Sequence, residues 1–89
     1  MKKLVNVVEV DGEGLTSLLG ENVLLFCMNY FYAGKLVGVN DKFVQLENAV
    51  IVYETGELTA KTFKDAQSLP TKVWYVQTGA IESYGVSGR

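Results

Sequence analysis

Two apolar segments meet at a short polar turn between Tyr32 and Ala49, and this hairpin is the strongest constraint on how the 89-residue chain can fold. Tyr32 to Val39 reads as one strand, Phe43 to Tyr53 as the next, and Asn40-Asp41-Lys42 joins them. Asn and Asp suit such a turn because they tolerate left-handed geometry and their short side chains bond the nearby backbone. Gly34 and Gly38 interrupt a strand that otherwise alternates well. Glycine inside a strand marks a sharp bend or a close backbone approach, and a small barrel closes by such bends.

The flanking sequence has the same character. Leu4 to Val10 is β-branched and ends in Asp11-Gly12-Glu13-Gly14, a strand followed by a turn. Leu15, Leu18 and Leu19 recur at helical spacing and predict one short helix, with Gly20 as the left-handed residue that ends it. Val23 to Met28 is apolar at every position, so both of its faces must be covered. Past Glu54 the chain turns polar as far as Pro70; Ala60, Phe63 and Ala66 there predict a helical turn. Val73 to Gln77 and Ala80 to Tyr84 return to β character across a Thr78-Gly79 break. The expectation is a single all-β domain over 1–89, about five or six short strands with one small helix, which is the pattern of a closed or nearly closed barrel.

Composition narrows the function. With 48% apolar and 20% charged residues the chain is neither disordered nor membrane-spanning, since no run approaches the ~20 apolar residues of a transmembrane helix. The start Met1-Lys2-Lys3-Leu4 is followed by Asn6 and Glu9 rather than an unbroken apolar stretch and cleavage site, so a cytoplasmic location is expected. There is no histidine and one cysteine, which removes an internal disulfide, a Cys/His zinc cluster and a histidine base. Cys27 reads as a small core residue. No nucleophile–base pair or phosphate loop is present, so neither an enzyme nor a cofactor is expected. The formal net charge is −2 and the only arginine is Arg89, whereas a protein that neutralises many phosphates carries a basic excess.

Gly34-Lys35-Leu36-Val37-Gly38 resembles the Gly-x-Leu-x-Gly of the first Sm motif, and Asp41-Lys42-Phe43-Val44-Gln45-Leu46 resembles the Asp-x-Phe-Val-x-Leu of the bacterial Sm-like protein Hfq. Val76-Gln77-Thr78-Gly79-Ala80-Ile81 stands in the place of the second motif. The likeness covers most of Leu15 to Tyr84 and fits a divergent bacterial or phage-type member of the Sm-like superfamily, in which a short helix precedes the first barrel strand. It implies a small, strongly bent five-stranded barrel with a short N-terminal helix, a core of about 15–84 and an inserted variable segment at 54–70, and a ring of identical subunits joined edge to edge by their fourth and fifth strands. A bent sheet with two open edges points the same way, because an unpaired edge is a template for another strand.

The resemblance also nominates residues. Phe43 falls where an aromatic ring stacks on a base at the inner rim of the family's rings, with Asp41, Lys42 and Lys35 in the same motif. Gln45 stands close to the family's base-binding asparagine. Thr78 and Gly79 replace the arginine-glycine or lysine-histidine of the second motif, which removes the cation that meets phosphate. Trp74, Tyr75, Val76 and Ile81 are the candidates for the contact between subunits, where large aromatics are typical. Tyr30, Phe31 and Tyr32 offer either a stacking platform or a plug for the barrel mouth. Two functions stay open: a ring that binds single-stranded RNA weakly, and a ring that has lost the RNA sites and engages another protein.

Overall fold

The computed structural model describes residues 14–89, and the strand expected over Leu4 to Val10 lies outside them. Six antiparallel strands form one sheet: β1 (Asn22–Cys27), β2 (Phe31–Val39), β3 (Phe43–Glu54), β4 (Asp65–Ser68), β5 (Val73–Gln77) and β6 (Ile81–Val86). The order is β4-β3-β2-β1-β6, and β5 pairs with β3 beside β4. The strands read from Tyr32, Phe43, Val73 and Ala80 are all present, within a residue or two of their expected ends.

Three expectations change. Leu15–Leu18 is a four-residue 3₁₀ turn, not an α-helix. Gly14 and Gly20 bracket it with φ of 83° and 89°, which leaves too little chain for α-helical bonds to propagate. The sheet has six strands rather than five, because the polar segment contributes β4, paired with the second half of β3 from Val50 to Glu54. The helical turn expected from Ala60, Phe63 and Ala66 is absent, since Ala66 belongs to β4 and bonds there take the place of helical ones.

Topology forces the sheet to curl. β5 and β6 lie at opposite ends of the path β6-β1-β2-β3-β5, which laid flat would hold them roughly 19 Å apart. Only the 3₁₀ turn Thr78–Ala80 connects them, and three such residues rise about 6 Å. Both glycines of β2 sit where that curl is made. The β2–β3 register shifts between Ala33 and Lys35, and again between Leu36 and Gly38. At the first shift Asn48 and Ala49 both face Gly34, and Asn48 takes a left-handed φ of 51°. Beyond it β3 exchanges β5 for β4 as its neighbour, with the Asn48 N–H donating to Lys72 O at 2.9 Å and the Leu69 N–H to Ala49 O at 2.9 Å.

Inside the curl Val23, Leu25, Cys27, Leu36, Val44, Leu46, Ala49 and Val76 form the core, closed at one end by Leu15 and Leu18. Burying each leucine stabilises by about 1.5–3 kcal/mol relative to leaving it exposed. The second face of β1 is covered as its sequence requires. Leu24 pairs with Ala33 and Phe26 with Phe31, while Ala33 and Phe31 pair in turn with Val50 and Val52. The 55–64 excursion lies over this outer strip: Leu58 shares a hollow with Leu24 and Phe26, and Phe63 shares one with Val50. Arg89 fastens the excursion by donating from Nη1 to the carbonyls of Thr55 (2.9 Å), Glu57 (3.2 Å) and Thr62 (3.4 Å), with its guanidinium 4.3 Å from the Phe63 ring centre.

Burial raises the Cys27 thiol above its ordinary 9.0, and burial followed by the nearby Cys27, Tyr30 and Tyr53 raises the Tyr32 phenol above 10.0. Both groups hold their protons longer when folded, so above about pH 9 the unfolded chain binds fewer protons and stability falls with pH. Urea melts from pH 7 to 11 should therefore stay level to about pH 9 and then decline. Cys27→Ala should make the onset of the decline later; an unchanged onset would place the titration elsewhere.

Candidate functional site

The turn between β2 and β3 is built by a side chain. Asn40 Oδ1 accepts from the Lys42 N–H (2.8 Å) and the Phe43 N–H (2.9 Å), while the Asn40 N–H donates to Phe43 O (3.0 Å). An Asx-type turn of this kind mimics a backbone turn and needs no positive φ. None occurs at Asn40 or Asp41. Thr78 then ties the turn to the β5–β6 connection: its N–H donates to Lys42 O and its hydroxyl to Asp41 O, both at 2.9 Å.

Five of the nominated residues therefore converge: Asp41, Lys42, Phe43, Thr78 and Gly79. Phe43 is partly exposed and meets Tyr75 edge to face, with centroids 5.1 Å apart and planes at 84°. Gln45 lies on the same outer face as Phe43, because Val44 between them points into the core. It pairs with Gly38 on one side and Tyr75 on the other. A Cβ at Gly38 would lie 3.3 Å from Gln45 Oε1, so the bare glycine is what leaves room for the amide. The result is an open surface of one flat ring, an aromatic edge, an amide and one ammonium at the turn.

Lys35 does not join them. It sits exposed at the middle of β2, opposite Asn22 and Glu47, about five strand residues or roughly 17 Å from the turn. Thr78 and Gly79 supply no cation; Thr78 is spent on the turn, and Gly79 leaves open space where a side chain would stand. Arg89, the only guanidinium, is occupied at the 55–64 excursion. The aromatic run splits, with Phe31 stacked on Phe26 at 4.3 Å, Tyr30 edge-on to Tyr53 at 5.7 Å and Tyr32 against the core.

The subunit-contact candidates divide by face. Val76 is in the core, Trp74 and Ile81 pack against it, and Tyr75 is 57% exposed. Sequence reasoning placed Tyr75 only on an edge and missed its contact with Phe43. Alternation along Val73 to Gln77 held the signal, because it sets Tyr75 opposite Val76, but the partner strand lies thirty residues away.

Backbone parity identifies what the open edges of β5 and β6 offer. Lys72 O and the Thr78 N–H bond to β3, so even-numbered residues of β5 face β3 and the N–H and C=O of Val73, Tyr75 and Gln77 point outward. The Ser87 N–H donates to Asn22 O at 2.8 Å, which by the same alternation turns Tyr84 and Val86 of β6 outward. Among the described residues these two rows have no partner strand.

Among the described residues no group of acidic residues or cysteine could hold a metal ion, and no helix is long and apolar enough to cross a membrane. Compared with family models, curated proteins and solved structures, the chain finds no match.

Proposed function

We propose that the chain is an Sm-like subunit that closes into a ring with copies of itself, and that the ring binds single-stranded RNA weakly at the rim formed by Phe43. The observation that carries this reading is the convergence of Phe43 and Gln45 on one outer face beside Tyr75, with Asp41 and Lys42 pinned by Thr78. A ring face next to an amide suits an unstacked base: the ring stacks and the amide bonds the base edge. The two outward edge rows of β5 and β6 support the assembly, since pairing one with the other repeats head to tail. Repetition also multiplies the single Lys42 of each copy into a local field. The ring is soluble in the cytoplasm and carries out no catalysis.

A second reading is favoured by the charge. With a net charge of −2, Thr78-Gly79 in place of a cation and Arg89 engaged elsewhere, the same ring would serve as a scaffold for another protein. Labelled oligo-U and oligo-A titrations at two salt concentrations separate the two. Phe43→Ala should weaken binding by ~1–3 kcal/mol per stacked base with the assembly intact, and Lys42→Ala should flatten the salt dependence. If Phe43→Ala breaks the oligomer, or the wild type ignores every single strand at low salt, the scaffold reading stands instead.

A further inference from the structure

On the outer face of β1 and β6 lies an open hollow of about 290 Å³ that shares no residue with the Phe43 rim. Leu24 and Phe26 form its floor, and Phe26 is backed by the stacked ring of Phe31. Leu58 from the 55–64 excursion and Tyr84 to Gly88 form the walls, and Arg89 lines it as well. The volume is near the lower bound for small-molecule sites, which pair an apolar lining with a few polar groups.

Gly85 is the residue that keeps the hollow open. It pairs with Leu24, so a side chain there would share Leu24's face and enter the space. A Cβ built on it meets nothing within 4 Å, and its backbone has no left-handed φ that would demand glycine. The guanidinium supplies the polar group. Arg89 spends Nη1 on three carbonyls, and its Nε and Nη2 have no hydrogen-bond acceptor among the described residues. Among the described residues no acidic side chain lines the hollow.

We infer that this hollow is a binding site for a small aromatic anion, whose ring lies on Leu24 and Phe26 and whose acidic group meets the Arg89 guanidinium. Such a ligand would replace water on the apolar floor and add a charge-assisted hydrogen bond at the rim. It would also bridge β6 to the 55–64 excursion.

The test is a titration of the intact protein with 2-naphthoate, followed by the methyl resonances of Leu24 and Leu58. Saturable shifts at those methyls are expected, with the neutral analogue 2-naphthalenemethanol binding several-fold more weakly. Gly85→Leu fills the hollow and should weaken 2-naphthoate about tenfold or more. Leu58→Glu, at an exposed position, sets a carboxylate over the site and should do the same. Absence of saturable shifts at millimolar 2-naphthoate would overturn the site, as would undiminished binding by both variants. Equal affinity for the neutral analogue would overturn its assignment to anions.

Discussion

Gly34→Val is expected to lower the unfolding free energy by about 3 kcal/mol and the melting temperature by on the order of 15 °C. A Cβ at Gly34 would stand 3.1 Å from Ala49 Cα and 3.1 Å from Glu47 O, and both are backbone atoms fixed by the register shift opposite. Valine adds two methyl groups to that collision, so β2 and β3 must separate where the sheet curls. Gly38 is a different case. Its nearest neighbours are the side-chain atoms of Gln45, at 3.3 Å, and these can rotate away. Gly38→Ala should cost no more than about 1 kcal/mol while displacing the amide from the rim. Thermal melts of the two variants therefore separate a glycine needed for the fold from one needed for the site. Equal melting of Gly34→Val and the wild type would remove Gly34 from the account of the curl.

Trp74→Pro and Tyr75→Pro should have opposite consequences although the positions are adjacent. The Trp74 N–H faces β3 in the even-numbered row and its side chain packs against the core. Proline there removes a ladder bond and should cost about 3 kcal/mol or more, a large fraction of the stability of a domain of this size. The Tyr75 N–H faces the open edge, where it bonds nothing among the described residues. Proline is tolerated on edge strands for that reason, so Tyr75→Pro should keep its circular dichroism spectrum and lose its assembly in sedimentation velocity. An assembly that survives Tyr75→Pro would show that the β5 edge is not what joins the subunits.

The strands and their hairpin were legible because their cause is local. Apolar alternation over Tyr32 to Val39 and Phe43 to Tyr53 fixes two strands, and Asn40 builds the turn from its own side chain. Gly34 and Gly38 pointed correctly to bends or close approaches, and both lie at register shifts. What stayed illegible depended on distant partners. Asp65-Ala66-Gln67-Ser68 has no apolar alternation and all four residues are exposed, so only pairing with β3 makes it a strand. Leu15 and Leu18 are three apart, a spacing shared by α and 3₁₀ turns, and the bracketing glycines decide between them. At the rim, a motif placed Phe43 and Gln45, whereas the edge contact of Tyr75 and the role of Thr78 come from strands far along the chain. The excursion over 55–64 carried only the helical spacing of Ala60, Phe63 and Ala66, which the structure does not follow, and Leu58, Phe63 and Arg89 explain it only once β1 and β3 lie beneath it.

Native mass spectrometry of the wild-type protein mixed with a short oligo-uridine reads subunit number and bound strand in one spectrum. The subunit is 9.8 kDa, and the account predicts a closed assembly of about five to seven copies, roughly 50–70 kDa, carrying bound RNA that is lost as ammonium acetate is raised. A 9.8 kDa monomer at micromolar concentration would contradict the ring, and a ring that carries no RNA at the lowest salt would contradict its proposed ligand.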